Sequence, residues 1–128
     1  MSVYTTMING LMAQQKVLGA HAQNIANMHS TGTVSGGKNA YIPVDPVQIS
    51  GGNGGGPRVE LRPVDPPGYT VYAPPSAVSD KDGLVTVPNI SLDDQLIGTM
   101  QASHAYKANL AAIRTQDDMD KALLDILG

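Results

Sequence analysis

Cysteine, phenylalanine and tryptophan are all absent from this 128-residue chain, and its aromatic side chains are five tyrosines. Without cysteine there is no disulfide, thiolate metal site or cysteine nucleophile, although such a chain suits either redox compartment. Without Phe and Trp the largest core fillers are missing, and a middle segment of about 60 residues would be marginal as a globule by itself. Much of the stabilising burial is therefore expected to come from other chains. Basic charge is scarce too. Eight Lys and Arg stand against eleven Asp and Glu, a net charge of −3, which argues against a nucleic-acid backbone or an anionic membrane as partner. No apolar run approaches the length of a membrane span. The start lacks a basic n-region, and Gln14, Gln15 and Lys16 interrupt any apolar stretch. A cleaved leader is therefore not expected, and any exit from the cytoplasm would use a route that needs none.

What the chain does have is periodicity at both ends. Leu92, Leu96, Thr99, Ser103, Tyr106, Leu110, Ile113, Asp117, Asp120, Leu124 and Leu127 follow an unbroken 4-3 spacing, and so do Tyr4, Ile8, Leu11, Gln15, Leu18, Ala22 and Ile25. A 3.5-residue repeat keeps one seam of a helix turned to a partner, so each end is expected to be one strand of a coiled coil. The first helix should span residues 3–28 and the second 91–127, with Ser91 and Asp94 as a capping-box pair. Both helices are apolar beyond one seam. Val3, Met7, Gly10, Val17 and Met28 form a second stripe on the first helix. A helix apolar on several sides is covered by several neighbours. Residues 1–30 carry one charged side chain, Lys16, whereas residues 91–128 carry six Asp and three Lys or Arg.

Between the helices the pattern turns to short extended runs, at 41–49, 58–64, 68–72 and 84–87, punctuated by glycine and proline. The expected fold is α+β: long N- and C-terminal helices forming an antiparallel coiled coil, with a small central β domain. The divisions fall at 1–30, 31–90 and 91–128.

Chemistry is harder to find. The glycine run from Gly51 to Gly56, interrupted by Asn53, lacks the Gly-Lys-Ser/Thr ending and the strand-to-helix context of a phosphate loop, so it reads as a hairpin turn. His21, His29 and His104 lack metal-ligand spacing. Asp80 and Asp82 suggest a calcium loop but have no closing Glu, so a turn is expected. No cofactor, metal or catalytic residue is expected, and the chain does not read as an enzyme.

Several segments together resemble a known family. Gly10-Leu11, Ala13-Gln14, Leu18 and Ala22-Gln23-Asn24-Ile25-Ala26-Asn27 look like the N-terminal signature of the axial proteins of the bacterial flagellum. Val71-Tyr72-Ala73-Pro74, then Asp80, Gly83, Val85 and Pro88-Asn89-Ile90, is similar to a segment typical of the proximal rod type. Met100-Gln101-Ala102-Ser103 and Ala105-Tyr106-Lys107-Ala108-Asn109 look like its C-terminal signature. Departures are Ala77 for a usual Pro, Leu84 for a usual aromatic, and the acidic stretch Asp117–Asp120.

The resemblance implies a structural subunit of the periplasmic rod in the basal body. Such a subunit is exported unfolded by the flagellar type III apparatus and assembles helically into a torque-bearing shaft. Its partners would be itself, other rod proteins, and ring and export components. The expected assembly interface comprises Ile8, Leu11, Leu18, Ala22, Asn24, Ile25, Asn27, Leu96, Tyr106, Asn109, Leu110, Ile113, Leu124 and Leu127. The alternatives are a monomeric or dimeric helical adaptor or chaperone, and a small hydrolase with a site in the proline-rich middle.

Overall fold

The computed structural model describes residues 3–37, 39–52 and 55–128. Lys38, and Asn53 and Gly54 of the glycine run, lie outside the described residues. Two long helices bracket four short strands: α1 (Val3–Asn27), β1 (Val44–Gly51), β2 (Gly56–Pro63), β3 (Gly68–Tyr72), β4 (Leu84–Pro88) and α2 (Leu92–Leu127). The fold is α+β. The strands form two separate antiparallel pairs, β1 with β2 and β3 with β4.

α2 starts where the sequence places a cap. Ser91 is extended and its hydroxyl accepts from Asp94 N at 3.4 Å, while Asp93 and Asp94 sit in the positive first turn. The helices run antiparallel, because Tyr4 meets Asp120, Gly10 meets Asn109, and His21 meets Gln95 and Gly98.

The β1–β2 hairpin lies against α1. Asn9 Nδ2 donates to Gly55 O at 2.7 Å and Lys16 Nζ donates to Val59 O at 2.9 Å. Gly51 pairs with Gly56 where the two strands meet the glycine run, and Asn9 ties down the run at Gly55. Gly56 has φ +75 and approaches Asn9 and Thr6 so closely that a side chain there would be both strained and crowded.

β3–β4 is fastened to the loop after α1 by two backbone hydrogen bonds of 2.9 Å between Gly32 and Thr86. Before β4, the Asp80 carboxylate accepts from Asp82 N (3.0 Å) and Leu84 N (2.8 Å), so its oxygen closes the expected turn.

The interior is small-grained. Among the described residues the buried hydrophobic side chains are Ala13, Ala20, Ala102, Val17, Val59 and Val85. Ala13, Val17, Val59 and Ala102 form one cluster joining α1, β2 and α2, with Leu18 packed on its edge. Proteins ordinarily bury Leu, Ile and Phe first, yet here the bulky side chains stay wholly or partly outside.

Candidate assembly surface

Apart from Tyr4 and Asp120 at one end, the face that the helices turn to each other is not the ladder expected from the sequence. The buried residues of α1 are Gly10, Ala13, Gln14, Val17, Ala20 and Asn24. These include Gly10 and Val17 of the second stripe, whose 4-3 continuation through Gln14, His21 and Asn24 is hidden by polar side chains. On α2 the facing positions are Gln95, Gly98, Ala102 and Asn109. They sit one residue before Leu96, Thr99, Ser103 and Leu110, about 100° around the helix. The reason is close approach. A Cβ on Gly98 would collide with the His21 ring, and one on Gly10 would lie 3.0 Å from Asn109 Nδ2. Each helix therefore lays a polar side chain into a glycine notch of the other, which a Leu seam would prevent.

Asn24 is the hub of this seam. It is 1% exposed. Its Nδ2 donates to Val44 O (2.8 Å) and Gln95 Oε1 (2.9 Å), and its Oδ1 accepts from Tyr41 Oη (3.0 Å) and Val44 N (3.1 Å). Gln95 Oε1 also accepts from His21 Nδ1 at 2.8 Å, which places the imidazole proton on that nitrogen. Burial pushes the Tyr41 hydroxyl above its ordinary pKa. Asn24, expected to face a neighbouring chain, instead joins α1, β1 and α2 inside one subunit; its full burial leaves no atom for an outside partner. The signal that could have shown this was the pair of amides, Gln14 and Asn24, in line with Gly10 and Val17.

A second latch closes the far end of the seam. Tyr4 Oη donates to Asp120 Oδ2 at 2.7 Å, and Gln116 Nε2 donates to its Oδ1 at 2.8 Å. Asp120, an acidic member of an apolar ladder, is thereby satisfied. Tyr4's hydrogen bond, then Gln116's, holds its carboxyl below the ordinary 3.8. The same bond, with a smaller contribution from burial, pushes the Tyr4 phenol up to about 12. Asp117 accepts from Lys121 Nζ at 2.6 Å.

The remaining expected interface residues fall into two groups. Leu11, Leu18, Ile25, Tyr106, Leu110 and Ile113 are half-buried, as are Asn109 in its notch and Asn27, whose amide donates to Gln23 O at 2.9 Å. Ile8 (50% exposed), Ala22, Leu96 (47%), Leu124 (69%) and Leu127 (83%) stand open. Ile97, Met100, Leu123 and Ile126, off the ladder, are open too.

A groove of about 530 Å³ lies between α1, α2 and β1 and includes His21, Asp45 and Asp94. The hydrogen bond of His21 goes to Gln95 and not to a carboxylate, so this is not a nucleophile–base–acid arrangement. Among the described residues no three His, Cys, Asp or Glu converge as metal ligands, and no helix is long and apolar enough to cross a membrane.

Long paired helices with bulky apolar side chains left open are the features of a structural assembly protein. Residues 81–126 match the model of the flagellar basal body rod FlgEFG protein C-terminal family. Over 125 residues the chain is 30% identical to flagellar basal-body rod protein FlgC of Salmonella typhimurium, covering 93% of this chain and 91% of that protein. It is 32% identical over 138 residues to FlgC of Borreliella burgdorferi (92% and 91% covered) and 28% identical over 127 residues to FlgC of Agrobacterium fabrum (93% and 88%). The chain belongs to the flagellar basal-body rod protein family, a family of structural proteins, and it is a structural subunit of the rod in the flagellar basal body.

Proposed function

We propose that the chain is a proximal rod subunit that assembles helically with copies of itself and with other rod proteins into a shaft carrying torque across the periplasm. In this reading the antiparallel pair α1–α2 lies along the inner wall of a tube. The residues between 31 and 90 form its outer part. The open ladder side chains of α1 and α2 complete coiled-coil-like seams with neighbouring chains, and ring and export components are met at the ends of assembly. Export through the flagellar type III apparatus without leader cleavage fits a cysteine-free chain, whose passage no disulfide obstructs.

The single observation behind this reading is the inversion of size between inside and outside. Ala and Val fill the interior while Ile8, Leu96, Leu124 and Leu127 stay exposed. Burying one Leu or Ile contributes about 1.5–3 kcal/mol. Several such contacts per subunit, acting in parallel, give stiffness that exposed ion pairs at about 0–1 kcal/mol each do not.

The test uses residues already open in the single chain. Leu96→Asp and Ile8→Asp are expected to leave the helical content of the dilute subunit intact, yet to abolish its recovery in isolated basal bodies and to abolish swimming. Normal motility with either substitution would sink the proposal.

A further inference from the structure

One end of α2 runs past the other described elements of its own subunit. Tyr4, in the first turn of α1, already reaches Asp120, so α2 runs on from Lys121 to Leu127 beyond its partner helix, about 10 Å at 1.5 Å per residue. All seven of these residues are exposed, Ile126 at 80%. Met119, Leu123 and Ile126 recur at i, i+4 and i+7 and form an apolar stripe; Asp118 and Asp125, also seven apart, flank it.

A surface of matching character lies elsewhere on the same molecule. A groove of about 310 Å³ runs between α1 and β2 over Asn9, Met12, Ala13, Lys16, Pro57, Arg58 and Val59. Its α1 wall spans two turns, the same length as the overhang. Its floor is apolar and its charges are both positive. Lys16 is held there by its bond to Val59 O. Neither cation has an ion-pair partner among the described residues, whose ion pairs are Arg62–Glu60 and Lys121–Asp117. The larger groove beside α2 carries Asp45 and Asp94 and would repel the same acidic helix end.

We propose that the α1–β2 groove seats the end of α2 of a second copy of this chain, the overhang together with the turn before it from Asp118, with Asp118 and Asp125 set against Lys16 and Arg58. The inference rests on the rod-subunit reading and adds to it which surface meets which. Opposite charges on the two patches select this pairing over the others. The joined patches are different, so the contact is heterologous. It leaves a free groove at one end and a free overhang at the other, and therefore repeats without closing on itself.

The absence of native cysteine makes the test clean. Basal bodies isolated from cells expressing both Met12→Cys and Ile126→Cys chains are oxidised. A disulfide dimer of twice the subunit mass is expected, and neither variant alone should give one. Adding Arg58→Glu to the Met12→Cys chain should lower the dimer yield at least threefold, and adding Asp125→Arg to the Ile126→Cys chain should restore it. The contact is overturned, with the rod reading intact, by no dimer although the chain is present in basal bodies. A dimer from one variant alone, a crosslink to a different polypeptide, or a yield indifferent to charge reversal has the same meaning. Should the unsubstituted chain be missing from basal bodies, both readings fall. Met12 and Ile126 are exposed, and circular dichroism of each dilute variant reports whether its helices form.

Discussion

Asn24 concentrates more of this fold in one side chain than any Leu does. Replacing it by Ala removes four hydrogen bonds and strands the Val44 backbone and the Tyr41 hydroxyl. Each buried polar group left without a partner costs about 1–3 kcal/mol, and we expect an overall loss of about 3 kcal/mol, read as a lower urea midpoint at unchanged slope. Asn24→Asp should be worse, since it sets a buried negative charge against Val44 O and Gln95 Oε1. A midpoint unchanged by either substitution would refute the hub. The glycine notch makes a different kind of prediction. Gly98→Ala gains about 1 kcal/mol in helix propensity but must push the His21 ring off Gln95. It should therefore destabilise the native chain and become neutral or stabilising in a His21→Ala background. Additivity across that double-mutant cycle would mean that the ring and the notch do not interact.

At the scale of elements, the Tyr4–Asp120 latch gives the helix pair a defined pH dependence. The Asp120 carboxyl titrates below its ordinary 3.8 when folded, so its contribution is present above pH 3.8 and is lost as the pH falls through the lowered value. The Tyr4 phenol is raised from 10.0 to about 12, so its contribution is full below pH 10 and is lost as the pH climbs through about 12. Tyr4→Phe should flatten the thermal-stability profile at both extremes; a profile identical to the parent's would show the latch to be idle.

The elements themselves were largely legible beforehand. Heptad spacing and the Ser91 cap located both helices to within a residue or two, and proline and glycine punctuation found all four strands. The Tyr41–Pro43 part of the first run is not strand, because Tyr41 turns inward to Asn24 instead. The internal seam was not legible. Hydrophobic periodicity weighs side chains by greasiness, whereas this seam selects them by smallness and hydrogen bonding, so Ile8 and Leu96 outscored Gly10 and Gly98. The pairing of strands into two sheets depends on the Gly32–Thr86 bridge, a contact between distant residues that no local pattern encodes.

For the molecule as a whole, a buried hydrophobic set of alanine and valine among the described residues predicts a fragile monomer. Leu, Ile and Met burial is deferred to association, so the midpoint of thermal unfolding should rise with protein concentration as mass action favours assembled chains. A midpoint constant over a hundredfold concentration range would point to a self-sufficient globule. There is also a consequence for how the chain comes into being. Gln95 is 71 residues downstream of the amide it satisfies, and the same glutamine also holds His21. Until the last third of the chain is in place, the opening helix rests on the β1–β2 hairpin through Asn9, Lys16 and Asn24, while Asn24 and His21 still lack the glutamine that completes their bonds. Closure of the helix seam is therefore the last event in the making of this fold.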